Sequence, residues 1–324
     1  LAGRELFFEN SDGRIVLIYP VKSRVLIGTT DIFADPRQPV RCTEEEVDYF
    51  FSLVGHILPG IELDRSKIVF KFSGIRPLPK QDVSQEGAVS RDYKIDTAVL
   101  PGSTNVPFLS IVGGKWTTFR ALGEHVGNLA LDILGKKRSV STLGLEIGGG
   151  KGFPVTEADT NAWIKDQQDF LTATRAGDLL HRYGTRAAEV ISYLRSHGDT
   201  SLKSLPDYSV QEFEFLAKAE AAVHLDDLLL RRTTLAFAGL LTESRVAEIA
   251  DAVSLTLGWT LSKRSEEIER AWSILADKHG VEREQVLAKP RASKVPENPK
   301  VPAPADGAEI RGVPASESNG ILSI

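Results

Sequence analysis

Phe108-Leu109-Ser110-Ile111-Val112-Gly113-Gly114-Lys115-Trp116-Thr117-Thr118-Phe119-Arg120 is the stretch on which the reading of this chain turns. Its first five residues suit a buried strand, and two consecutive glycines stop that strand. Thr117 or Thr118 is expected to cap a helix that carries Leu122, Val126, Leu129 and Ile133 and stops near Gly135. Such a junction presents free backbone amides and the positive end of a helix dipole. With no Cβ at the glycines, a ligand can approach the backbone closely. The plainer alternative is a glycine turn followed by a surface lysine. A P-loop is excluded, because Gly114-Lys115 is followed by Trp116 rather than serine or threonine, and Gly150-Lys151-Gly152 fails in the same way.

Toward the N-terminus the pattern is antiparallel β. Arg14-Ile15-Val16-Leu17-Ile18-Tyr19 and Arg24-Val25-Leu26-Ile27-Gly28 read as a hairpin around Pro20-Val21-Lys22-Ser23. Thr43 and Glu46 form a capping box ahead of Val47, Phe50, Phe51 and Val54. Ile68-Val69-Phe70-Lys71-Phe72 reads as the next strand. Two clusters carry polar groups at strand ends. Ile27-Gly28-Thr29-Thr30-Asp31 is either an edge with turn chemistry or a ligand contact. In Phe72-Ser73-Gly74-Ile75-Arg76-Pro77-Leu78, Pro77 pushes Arg76 toward extended backbone. An arginine there either grips a phosphate or carboxylate or pairs with a structural carboxylate.

Toward the C-terminus the texture changes at about Ser139. Amphipathic helices are expected over 187–194, 210–222, 225–237, 246–257 and 266–278, with loops at Gly148-Gly149-Gly150 and Leu205-Pro206-Asp207. Beyond about Arg283 the chain is rich in Pro, Ala, Ser and charge, as expected of a disordered tail. The length of 324 residues allows about two domains, and 42% hydrophobic with 26% charged residues is ordinary for a globular protein. A net charge of -5 argues against a nucleic-acid surface. Cys42 is the single cysteine, which rules out an intramolecular disulfide and fits a reducing compartment. No apolar run is long enough to span a bilayer, and no signal peptide opens the sequence. The chain starts at Leu1 and contains no methionine, so a fragment, a processed chain or an incompletely recorded sequence is expected.

In their order, these clusters resemble the FAD-dependent glycerol-3-phosphate dehydrogenases. That family shows a Gly-Thr-Thr-Asp strand end, a Ser-Gly-x-Arg-Pro-Leu segment, an Arg-Asp-Tyr segment (here in Ser90-Arg91-Asp92-Tyr93) and Gly-Gly-Lys-x-Thr-Thr-Phe-Arg. The helical part is similar to the family's C-terminal domain. It carries Arg182-Tyr183-Gly184-Thr185-Arg186-Ala187 and His224-Leu225-Asp226-Asp227-Leu228-Leu229-Leu230-Arg231-Arg232-Thr233. The resemblance runs from about Gly13 to Lys278.

The resemblance implies a fold of the α/β plus α kind. Residues 1–138 would be the C-terminal part of an FAD- and substrate-binding domain, with antiparallel substrate-binding strands and a last strand and helix returning to a Rossmann-type sheet. Residues 139–283 would form an all-α domain, and 284–324 the disordered tail. The implied reaction is oxidation of sn-glycerol 3-phosphate to dihydroxyacetone phosphate by hydride transfer to FAD, with quinone as onward acceptor. A soluble oxidase using oxygen, or a non-catalytic helical interaction module with a vestigial β region, are the alternatives. Arg76 and Lys115 match the basic residues that hold substrate and stabilise charge, and Thr29 joins them as a substrate contact. Gly113, Gly114, Lys115, Thr117 and Thr118 match the turn that meets the flavin ring. No metal is implied. A cytoplasmic location, peripheral on the inner face of the cytoplasmic membrane, and a homodimer are compatible with the family. Arg231-Arg232 is expected to serve structural ion pairing.

The departures are equally definite. No Gly-x-Gly-x-x-Gly fingerprint is present in the sequence. None of His56, His125, His181, His197, His224 and His279 falls in a motif matching the family's active-site histidine, so the general base is expected outside this chain.

Overall fold

Alternation along Ile15–Val21 fixes the first sheet: Val16 and Ile18 are buried, and their neighbours are not. The computed structural model describes residues 5–21, 24–35, 37–76, 92–100, 102 and 105–283. The tail 284–324, Lys22-Ser23, Pro77-Leu78 and Ser90-Arg91 lie outside the described residues. β1 (Leu6–Glu9), β2 (Ile15–Val21) and β3 (Arg24–Gly28) form an antiparallel sheet in the order β1-β2-β3. The expected hairpin is present, but the ladder runs further toward its turn than the sequence suggests, with Pro20 opposite Val25 and Val21 opposite Arg24. Among the described residues β1 pairs with β2 only as far as Ile18, so Pro20 faces one described neighbour, an edge position that tolerates proline.

β4 (Tyr93–Val99) and β5 (Pro107–Gly113) form a second antiparallel sheet, with Tyr93 opposite Gly113. Every strand pairing among the described residues is antiparallel, and the rest of the fold is mostly helical, a mixed α+β arrangement. The expected return of the last strand to a Rossmann-type sheet is not seen there, since β5 pairs with β4 alone. After β5 a 3-10 turn at Trp116–Thr118 leads into α2 (Phe119–Ile133).

α1 (Glu44–Ile57) starts at the expected capping box: Thr43 Oγ1 accepts from Glu46 N, and Glu46 Oε2 accepts from Thr43 N at 2.8 Å. The segment after it departs from expectation. The segment 68–72 starts extended at Ile68 but pairs with no strand among the described residues. Its backbone is satisfied by the end of α8 (Leu261–His279): Lys71 N donates to the His279 carbonyl at 3.0 Å, and His279 Nδ1 donates to the Lys71 carbonyl at 2.8 Å. Phe70 stacks on the His279 ring with centroids 4.4 Å apart.

The remaining helices are α3 (Glu157–Lys165), α4 (Ala173–Tyr183), α5 (Ala187–His197), α6 (Val210–Ala219) and α7 (Glu243–Ser254). Ala176, Leu179, Val190, Ile191 and Leu194 make one buried cluster. Phe213, Leu216, Leu228, Ile249, Trp272 and Leu275 belong to a larger one. The helix expected over 225–237 is replaced by one wide π-type turn, Asp227–Arg232. Asp227 Oδ2 accepts from the amides of Val223 and His224, and Thr233 Oγ1 donates to the Leu228 carbonyl, so side chains take bonds that an α-helix would make.

Two compact units result. Residues 1–34 and 74–133 group in one, and 35–73 with 134–285 in the other. α1 and the extended segment side with the helices, held by the Lys71–His279 pairing and by Arg41 Nη2 on Asp277 at 2.5 Å.

Candidate active site

Two sets of residues in the strand-rich unit collect the positions singled out from sequence. The first set lies at the end of β3. Thr29 Oγ1 donates to the Ile15 carbonyl at 3.3 Å, tying the end of β3 to the start of β2. Asp31 accepts from Arg76 Nη1 at 3.0 Å, with both side chains about one-third exposed. Two clusters distant in sequence thus meet through an ion pair. Of the two readings of Arg76, pairing with a carboxylate is what the structure displays. A guanidinium is a rigid planar fork, so the Asp31 contact also fixes where that fork points.

The second set is the turn after β5. Gly113 and Gly114 have φ of +77° and +106°. A Cβ on Gly114 would stand 3.4 Å from Leu122 Cδ2 and 3.5 Å from Tyr93 Cβ, ordinary contact distances. Glycine is needed there for its backbone angle rather than for space. The glycines turn the chain directly into the 3-10 turn, so Lys115 takes the cap position and both threonines fall inside the first turn. Neither acts as the expected cap; Thr118 Oγ1 instead donates to the Lys115 carbonyl at 3.1 Å. Thr29 and Thr118 therefore direct their hydroxyls to backbone carbonyls.

Tyr93 Oη lies 3.1 Å from His125 Nδ1, the rings meeting edge-on at 5.8 Å. Sequence reading passed over this pair; the signal available was Tyr93 in the Arg-Asp-Tyr segment, which the β4–β5 register sets opposite Gly113. His125 also borders a shallow pocket of about 230 Å³ along α2 with Arg120, Glu124 and Asn128. Trp116 stands 76% exposed at the start of the turn.

Chemically, the turn offers the first amides of a helical segment beside a lysine, a donor set that suits the N1–C2=O edge of a flavin ring, where negative charge grows on reduction. A pyrophosphate finds no fingerprint unit in this sequence. In the helical unit, Arg231 pairs with Asp226 at 3.0 Å and Asp227 at 2.9 Å, and Arg232 with Glu220 at 3.3 Å, the ion pairing expected of them.

Residues 140–264 match the family described as the C-terminal domain of alpha-glycerophosphate oxidase. The chain is similar to the glycerol-3-phosphate dehydrogenase of Synechocystis sp., 28% identical over 271 residues, covering 80% of this chain and 47% of that protein. It is also similar to the mitochondrial glycerol-3-phosphate dehydrogenase of Bos taurus, 30% identical over 276 residues, covering 82% of this chain and 36% of that protein. Among solved structures, the glycerol-3-phosphate dehydrogenase from Bacillus halodurans, complexed with FAD, matches with a TM-score of 0.66 and 21% identity, over 84% of this chain and 53% of that one. The chain thus spans less than half the length of these curated relatives.

Proposed function

We propose, from the premise that this chain is the C-terminal portion of a member of the FAD-dependent glycerol-3-phosphate dehydrogenase family, that it supplies the substrate-facing part of a site oxidising sn-glycerol 3-phosphate to dihydroxyacetone phosphate. The observation that carries this reading is the positive-φ glycine pair that opens directly into a helical turn at Lys115.

FAD, when bound, supplies the acceptor for the hydride from C2. Arg76, oriented by Asp31, neutralises the substrate phosphate. Lys115 shares that role and stabilises the developing ketone oxygen. The turn at Gly113 and Gly114, with Thr117 and Thr118, holds the ring edge, and Thr29 borders the substrate. Both cations are poor bases, so the proton of the C2 hydroxyl goes to a group outside these residues. We assign quinone as onward acceptor. The matched family's description names an oxidase, which keeps oxygen as the second reading. No helix among the described residues is long and apolar enough to cross a membrane; attachment to the inner face of the cytoplasmic membrane is proposed as peripheral, and a homodimer as the working assembly.

The test uses a protein that joins these residues to a Gly-x-Gly-x-x-Gly unit. It should bind FAD and show dye-linked turnover of glycerol 3-phosphate. Arg76→Ala and Lys115→Ala should each lower kcat/KM by roughly 100-fold while FAD content holds. With inorganic phosphate bound, the two head groups should lie within about 8 Å of each other. A polypeptide limited to the 324 residues should stay colourless, since its sequence offers the pyrophosphate no fingerprint helix. Unchanged kcat/KM in Arg76→Ala would remove the site assignment.

A further inference from the structure

The helical unit contains a cleft of about 240 Å³ lined by the turn at Gly148 and Gly149, the junction of α4 and α5, α6, and the π-turn. Four arginines line it, Arg182, Arg186, Arg231 and Arg232, and Glu220 is the one acidic residue in the lining. These arginines come from three separate elements. Like charges gathered in this way repel unless anions stand among them, and carboxylates meet all four.

Their partners differ in a telling way. Arg182 is held by Glu212, and Arg231 by Asp226 and Asp227, carboxylates of residues that do not line the cleft. Glu220 instead borders the cleft and is bridged by two arginines, Arg186 Nη1 at 3.0 Å and Arg232 Nη1 at 3.3 Å. Arg186 is braced further by Glu189 at 3.1 Å. The Glu220 carboxylate therefore sits where an incoming anion would meet two guanidinium forks.

Rigid backbone forms the facing wall. A Cβ on Gly149 would come within 2.1 Å of the Tyr183 carbonyl oxygen, and one on Gly184 within 2.4 Å of the Gly149 carbonyl oxygen, so the two segments touch main chain to main chain. Thr185 Oγ1 pins them, its one hydroxyl proton shared between the carbonyls of Gly149 at 2.9 Å and Lys151 at 2.8 Å. Val190, Phe215 and Leu216 give the remainder an apolar lining. The volume falls below the roughly 300–1,000 Å³ of drug-sized sites, which limits the occupant to a small molecule.

We propose that this cleft binds a small organic phosphate, with Arg186 and Arg232 on its phosphoryl oxygens and its carbon skeleton against Val190 and Phe215. A phosphate dianion matches planar guanidinium forks better than a point anion does. The site lies wholly in the helical unit and does not depend on the reading of Arg76 and Lys115.

The experiment titrates the purified chain, in an Arg76→Ala/Lys115→Ala background that removes both of the other proposed phosphate contacts, with inorganic phosphate and with glycerol 3-phosphate by calorimetry at constant ionic strength. One saturable site is expected, tighter for glycerol 3-phosphate. Arg186→Gln and Arg232→Lys should each weaken it about tenfold, the second by losing the fork while keeping the charge. Glu220→Gln should tighten it about tenfold by removing the competing carboxylate. Circular dichroism melting checks that each variant is folded. Absence of saturable binding in the otherwise unchanged chain, equal affinity for the two ligands, or weaker binding by a folded Glu220→Gln variant would overturn the proposal.

Discussion

Glu212 is a carboxylate with no solvent exposure, and three neighbours make that burial tolerable. Arg175 Nη1 stands 2.8 Å from it, Arg182 Nη1 2.9 Å, and the Tyr183 hydroxyl donates at 2.6 Å. Burial works against the charge on Arg175, yet bonds from Asp199 and the nearby Glu212 outweigh it and hold the guanidinium above its usual pKa. Burial, reinforced by the negative Glu212, pushes the Tyr183 phenol up, so it stays protonated and donates. Arg182 also lies over the Tyr208 ring at 3.7 Å, the kind of contact that a charge-neutral substitute would lose. Breaking such a network by removing one partner leaves charges half-buried and uncompensated. Glu212→Leu should therefore lower unfolding free energy by about 3–5 kcal/mol in urea titration. A loss below about 1 kcal/mol would mean that the two arginines find water or other partners, and that Glu212 does not anchor them.

Among the elements, those legible in sequence were the ones whose signals are local. Thr43 and Glu46 announced the start of α1, and the glycine pair announced the end of β5. The segment Ile68 to Phe72 looked like a strand because its residues are branched and aromatic, but the partner that satisfies its backbone is a helix end that only the folded chain brings near. The leucines after Asp227 looked like helix, and the side-chain bonds of Asp227 and Thr233 turned them into a π-turn. Arg76 and the Gly-Thr-Thr-Asp cluster that holds Asp31 were each visible as candidates, whereas their pairing was not, because it depends on tertiary structure. The junction of Lys71 and His279 makes a prediction of its own. Burial lowers the pKa of His279, opposed by its bond to the Lys71 carbonyl and aided by nearby Lys278 and Arg231. The folded pKa thus lies below the ordinary value of about 6.5, and the unfolded chain binds more protons between the two. Stability from this residue is complete above about pH 6.5 and is lost as pH falls toward the folded value. The melting temperature should drop less between about pH 7 and 5 in His279→Gln than in the unaltered protein; parallel profiles would assign the acid sensitivity elsewhere.

At the scale of the molecule, buried surface is divided very unequally. Among the described residues of the strand-rich unit, Val16 and Ile18 are the buried hydrophobics, while the helical unit holds two continuous apolar clusters. β4, β5 and α2 contain no buried residue, and Val99, Phe108, Ile111 and Phe119 are exposed. A two-stranded hairpin and a helix of 15 residues are each marginal in water without a packed face. Protection from hydrogen exchange should follow that division. Amides of β4, β5 and α2 should exchange near the rate of local fluctuation, while those of α4 to α8 should open only with the helical core. The curated relatives are more than twice the length that this chain spans of them, and we expect the additional residues to cover the apolar face of the hairpin and α2. In a protein that joins these residues to a fingerprint-bearing segment, exchange in 93–99 and 107–133 should then slow by roughly 100-fold or more, with little change in α4 to α8. Strong protection of the hairpin in the 324-residue polypeptide by itself would show that its face is already covered, and the inferred role of the additional residues would fall.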